Sequence, residues 1–172
     1  MLCHLRCPLA LILAAVVLAA CSKQEPAASP AAAAAPASAA TTAPAKPVTK
    51  ACEMVTQAAM SAILGGAVTA KANDRSNGQT QCIYTAVAGI SPYAELKVDW
   101  GDGKIAMQAM GMANKAEPGI TNPLEGLGDQ AVQIGPTLMI RSGEDLVTII
   151  FSGVDDVLPR GRKVFALVKA AL

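Results

Sequence analysis

The chain is 172 residues long with a formal net charge of +1; 52% of its residues are apolar, 3% are aromatic, and one is histidine. So balanced a charge excludes the basic field that nucleic-acid binding requires. The aromatic residues, Tyr84, Tyr93, Trp100, Phe151 and Phe165, are too few and too scattered to line a stacking surface for bases or sugars.

Met1 to Cys7 carries Arg6, and Pro8 to Ala20 is an unbroken apolar run of 13 residues ending in small side chains. A membrane-spanning helix needs about 20 such residues, so the layout predicts a secretory signal peptide over residues 1–20. Leu18-Ala19-Ala20-Cys21 resembles the lipobox of bacterial lipoproteins. That resemblance implies cleavage before Cys21, a diacylglycerol on its thiol and acylation of the new amino terminus. Each buried methylene contributes about 0.8 kcal/mol and about two chains suffice for stable anchoring, so three would hold the protein on a membrane essentially permanently. Ser22 after the cysteine implies, on the pattern of Gram-negative sorting, transfer to the outer membrane. The expected address is the cell envelope, lipid-anchored and facing the periplasm, with the membrane as first partner. Cys3, Cys7 and His4 leave with the signal segment.

Residues 21–50 follow the cleavage point. Ser22 to Lys50 holds twelve alanines and five prolines. It lacks the apolar surface to offset chain entropy, and Pro26, Pro30, Pro36, Pro44 and Pro47 interrupt any helix. This predicts a tether that reaches about 90 Å extended and averages about 30 Å as a coil. Residues 51–172 are then one globular domain by length.

Two cysteines remain in that domain, Cys52 and Cys82. In an exported chain such a pair reads as a disulfide. Closing a loop of about 30 residues contributes about 3–4 kcal/mol in the chain-entropy account. A redox or metal pair would favour the Cys-x-x-Cys spacing, which is absent.

Cys52 to Leu64 reads as a helix, with Thr56 able to cap its second part and Gly65-Gly66 to stop it. Ala67 to Ala72 is a short strand and Asn73 to Gly78 a turn. Gln81 to Val87 alternates Cys82, Tyr84 and Ala86 against Ile83, Thr85 and Val87. Tyr93 to Trp100 alternates more sharply, with Ala94, Leu96, Val98 and Trp100 facing in and Glu95, Lys97 and Asp99 facing out. Lys104 to Lys115 is helical in composition, Ala116 to Gly128 a loop. Strands follow over Gln130 to Ile134, Thr137 to Arg141 and Leu146 to Ser152. Pro159 starts a last helix whose apolar stripe is Val164, Leu167, Val168 and Leu172. The expected fold is α+β: an antiparallel sheet of about five to six strands with helices packed on it, in the order α-β-β-β-α-β-β-β-α.

The stretches "CEMVTQAAMSAILGG", "CIY", "GLGDQAV" and "LMIRSG" together resemble a group of bacterial lipoprotein domains of unknown function. Cys52, Leu64, Gly65, Cys82, Tyr84, Gly126, Gly128, Asp129, Ala131, Arg141 and Gly143 carry the resemblance; Gln130 departs from it, where an acidic residue is common. The actinobacterial LpqN-type lipoproteins look similar, and that likeness implies a PsbP-like α+β fold. It brings no catalytic residues.

The chemistry is bounded by an absence. Without His4 the mature chain has no histidine, which excludes a Ser-His-Asp triad, a Cys-His dyad and a His-ligated zinc. Lys97 and Lys104 have no serine motif beside them. Asp99 and Asp102 flank a strand end where a carboxylate pair or calcium ligands are conceivable, but no complete calcium loop is present, and the pair reads as solvated strand-end charge. Gly126, Gly128 and Asp129 lack the third glycine and flanking elements of a phosphate cradle and read as a tight turn into a strand. Met107, Met110 and Met112 form an M-x-x-M-x-M array of soft thioethers that suits Cu(I), with core packing as the alternative. On a regular helix Met112 lies about 140° from Met107, so convergence requires a break at Gly111.

These observations lead to one expectation and two alternatives. The first is a non-enzymatic, membrane-anchored envelope domain that binds a protein or lipid-like component, without a cofactor. The alternatives are a soft-metal or small-ligand carrier using the methionine helix, and a hydrolase using carboxylates or lysine. An apolar cavity beside Met107 and Met110 would favour the carrier.

Overall fold

Period-two alternation builds most of this molecule. The computed structural model describes residues 48–89 and 91–172. The expected signal segment 1–20, the expected lipidation site Cys21 and the expected tether as far as residue 47 lie outside the described residues.

Two short helices open the fold, α1 (Ala51–Met54) and α2 (Gln57–Leu64). Strands β1 (Val68–Ala72), β2 (Gln79–Ala86) and β3 (Tyr93–Asp99) follow, then helix α3 (Gly103–Ala116). Strands β4 (Asn122–Leu124), β5 (Gln130–Ile134), β6 (Thr137–Ser142) and β7 (Asp145–Ser152) lead to helix α4 (Val157–Lys169). The seven strands form one sheet in the order β1-β2-β3-β7-β6-β5-β4, antiparallel throughout. The α+β architecture is as expected, with one more strand than the count of five to six. The addition is β4, inside the stretch read as a loop. Pro123 sits in it, which an edge strand tolerates because only one side of its backbone needs donors.

The single first helix is in fact two. Val55 and Thr56 are extended, and the Thr56 hydroxyl accepts the Ala59 N–H to start α2. The break has a physical cause. It frees the Val55 carbonyl to accept the hydroxyl of Tyr84, which is fully buried and needs a partner. Burial also pushes the Tyr84 phenol above its ordinary range. Gly65, with φ of 80°, ends α2 in the left-handed region.

One face of the sheet carries the main core. Cys82 and Tyr84 of β2, Ala94, Leu96 and Val98 of β3, Val147, Ile149 and Phe151 of β7, and Leu138 and Ile140 of β6 are all buried there. Helices α1, α2 and α4 cover it, with Met60 and Leu64 from α2 and Val164, Phe165 and Val168 from α4. Phe165 takes the place expected for Leu167, which is 39% exposed. Trp100 is only half-buried, because it lies in the turn beyond β3. Arg160 ties α4 to α2 by donating to the Ile63 carbonyl.

The Cys52–Cys82 disulfide joins α1 to β2, with the two Cα atoms 5.0 Å apart. A polar hub lies beside it. Asp74 accepts the Thr80 hydroxyl (2.6 Å) and the Gln81 N–H (3.2 Å), and the Thr80 Oγ1 in turn accepts the Ala51 N–H (2.9 Å). Lys50, the last residue assigned to the tether, pairs with Asp74 at 2.6 Å, so the folded unit begins one residue earlier than expected. The hydrogen bond from Lys50, then that from Thr80, holds the Asp74 carboxyl down at about 2. A carboxyl depressed in the folded state stabilises above its unfolded value of about 4, and this is lost as pH falls through about 2. Urea unfolding of Asp74→Asn is therefore expected to show a deficit relative to wild type near neutral pH that shrinks towards zero at about pH 2. A deficit that does not change with pH contradicts this account of the hub.

Candidate functional site

The second face of the sheet is unlike the first. Along it run Tyr93, Glu95, Lys97 and Asp99 of β3, Leu146, Thr148 and Ile150 of β7, Met139 and Arg141 of β6, and Gln130 and Val132 of β5. Its β2–β3 half is a self-contained polar network. Glu95 accepts hydrogen bonds from Tyr93 (2.7 Å) and Gln81 (2.5 Å), and Asn73 donates to Gln81 (2.6 Å). Burial, reinforced by Glu95, pushes the Tyr93 phenol up to about 12. Asp99 accepts from Gln79 and pairs with Lys97 at 3.3 Å. Asp102 is exposed at the start of α3, so the two carboxylates of the sequence motif are not held as a working pair.

The other half is covered by α3. Gly103 admits the helix: a Cβ there would lie 2.5 Å from the Asp145 carbonyl oxygen and 2.9 Å from Arg141 Cγ. Its N–H donates to the Glu144 carbonyl at 2.8 Å. One turn on, Met107 is 3% exposed and packs with Val132 and Leu146; Ala106, Met110 and Met139 border this second, smaller core. At the far end of α3, the Asn114 side-chain oxygen Oδ1 accepts the N–H groups of Gly119 (3.2 Å) and Thr121 (3.3 Å). That fixes the loop leading to β4.

A groove remains between α3 and strands β4–β5. Its main chamber, about 330 Å³, is lined by Met107, Met110, Gly111, Asn114, Thr121, Pro123, Leu124, Ala131 and Val132, with Asp129 and Gln130 at its rim. A second chamber of about 260 Å³ adjoins it through Met107 and Gln130 and is bounded by Lys104, Gln108 and Arg141. Together they give an apolar floor and an end rich in hydrogen-bond donors. The size is at the lower end for small-ligand sites. Asp129 and Glu144 draw off part of the positive charge, since Arg141 lies 3.3 Å from Asp129 and Lys104 lies 2.7 Å from Glu144.

The "GLGDQAV" and "LMIRSG" motifs meet here. Gly128, with φ of 58°, presses against β6, where a Cβ would lie 2.2 Å from the Arg141 carbonyl oxygen. The Asp129 N–H donates to that oxygen at 2.8 Å, and the Asp129 carboxylate accepts the Gly143 N–H at 2.7 Å. Gly126 and Gly128 thus serve the turn, and Asp129 and Arg141 lock the two strands at the rim of the groove.

The methionine array divides. Helix α3 runs unbroken through Gly111, so Met107 and Met110 face the groove while Met112 is 65% exposed on the outer side with Ile105 at 69%. Sequence reasoning missed Gln108, Gln130 and Arg141 as groove residues, and Met139 as a neighbour of Met107. Alternation within β5 and β6 puts Gln130 with Val132 and Met139 with Arg141 on one face. Only the sheet order, with β7 between β3 and β6, brings both pairs under α3.

Among the described residues no helix is long and apolar enough to cross a membrane, and no three His, Cys, Asp or Glu side chains are grouped to hold a metal ion. No protein family, curated protein or solved structure matches this chain.

The two glycines of the site predict opposite responses. Gly111 is exposed within a helix and nothing lies within 4 Å of an added Cβ, so Gly111→Ala is expected to stabilise by about 0.5–1 kcal/mol. Gly128→Ala is expected to destabilise by about 2–3 kcal/mol through strain and collision. Urea midpoints measure both; shifts of the same sign contradict the assigned packing.

Proposed function

We propose that this protein is a non-enzymatic lipoprotein of the bacterial envelope, held to a membrane through Cys21 and a long tether, whose domain binds an amphiphilic component of that envelope. The observation that carries the binding role is the α3–β5 groove, apolar along Met107, Met110, Leu124 and Val132 and rich in donors at Lys104, Gln108, Gln130 and Arg141. An apolar floor takes a hydrocarbon portion; lysine, arginine and carboxamide groups take hydroxyls or a single anionic group. The cavity beside Met107 and Met110 also supports the alternative of a soft-metal or small-ligand carrier. The mature chain's lack of histidine supports a binding role over hydrolysis.

The groove is open to a direct test. Gly111→Leu places a side chain on the groove wall at a position where added bulk meets no backbone, and it raises helix propensity. The full chain purified from membranes is expected to carry extractable amphiphile, seen by mass spectrometry of an organic extract, and the Gly111→Leu chain to carry at least about tenfold less at undiminished stability. Equal loading of the two chains contradicts the groove as the site. The anchor is tested separately: labelled palmitate is expected in the wild-type chain and lost in Cys21→Ser, and incorporation that survives the substitution contradicts the lipid anchor.

A further inference from the structure

We propose that Met107, Met110 and Met139 form a three-thioether site for a soft monovalent cation, Cu(I) or its analogue Ag(I). The sequence array pointed to Met112 as the third sulfur, but α3 turns Met112 out to solvent. The fold replaces it with a methionine from another element. Met107 and Met110 are three residues apart on α3, hence neighbours on one side of the helix, about 5–6 Å between Cβ atoms. Met139 stands on β6 in register with Val132 of β5, on the sheet face that α3 covers. It and Met110 both pack against the cluster of Met107, Val132 and Leu146.

Two features separate this cluster from ordinary core packing. Met107 and Met110 line an open chamber, so an ion has an entry path. Thr148, 7% exposed, lies directly across from Met139 in the β6–β7 register, and its hydroxyl has no hydrogen-bond partner among the described residues. Selectivity follows from the donor set. Thioethers are neutral and soft, which suits a d¹⁰ monovalent ion; zinc and Cu(II) prefer imidazole, thiolate or carboxylate. Asp129 at the rim pairs with Arg141 at 3.3 Å, which offsets its charge. Three rotatable bonds per methionine let the sulfurs close on it. Binding involves no electron transfer.

Ag(I) titration of the full chain in chloride-free buffer tests the site. Free thiols are capped with N-ethylmaleimide while the Cys52–Cys82 disulfide stays intact, and native mass spectrometry and calorimetry follow binding. One Ag(I) per chain is expected. Met107→Leu, Met110→Leu and Met139→Leu are each expected to weaken it about tenfold or more, while Met112→Leu binds as wild type does. Met-to-Leu exchange conserves volume, so the variants stay folded, which thermal melts verify. Absence of stoichiometric binding overturns the proposal, as does a Met139→Leu chain that binds as tightly as wild type. No amphiphile is present in the titration, so its outcome is independent of the groove's lipid-like ligand.

Discussion

Strand β7 must bury apolar side chains on both of its faces, and the rest of the structure is arranged around that requirement. It is the fourth of seven strands, so its hydrogen bonds are shared with β3 and β6. Val147, Ile149 and Phe151 point into the core under α1, α2 and α4, while Leu146 points the other way into the cluster under α3. A strand exposed on one side would alternate; this one reads Leu-Val-Thr-Ile-Ile-Phe, the near-continuous apolar pattern of a strand covered on both sides. The second cover is incomplete. Helix α3 spans only part of the face, and the strip it leaves towards β4 and β5 is the groove.

The two faces are stabilised differently. The first is held by a large core, by the Cys52–Cys82 bond and by the Asp74 hub, which together fix the start of α1. The second has a core of three buried residues, and its helix is positioned by backbone contacts at Gly103 and by the Asn114 hydrogen bonds. Lower local stability fits the ligand-binding role proposed for this surface. The outer side of α3, with Ile105 and Met112 exposed, adds apolar surface beside the groove.

Much of the first face was legible in the sequence. Cys82 and Tyr84, and Ala94, Leu96 and Val98, alternate cleanly because one side is buried and the other polar. The disulfide followed from the cysteine count in a chain read as exported. The break at Val55 was not legible, because its cause is a hydroxyl 29 residues away on Tyr84. Strand β4 was hidden by Pro123, whose residue type speaks against a strand everywhere except at an edge. Phe165 rather than Leu167 faces the core because the buried side of α4 runs through Gly161, Val164, Phe165 and Val168, which leaves Leu167 at its margin. The groove was half legible: Met107 and Met110 stood out as an array on one helix. Gln130, Met139 and Arg141 could be joined to them only through the sheet order, which is a non-local property.

The tether and the groove make sense together. On the proposed lipid anchor, a domain on a tether of about 30 Å would sample the surface of the membrane that holds it, and a groove with an apolar floor and a donor-rich end would suit what that surface offers. Hydrogen exchange of the full chain, with and without vesicles made from extracted envelope lipids, tests this most directly. The account predicts slowed exchange over Gly103–Ala116 and residues 122–134, with β1 to β3 unchanged. Protection confined to β1–β3, or none anywhere, would contradict it.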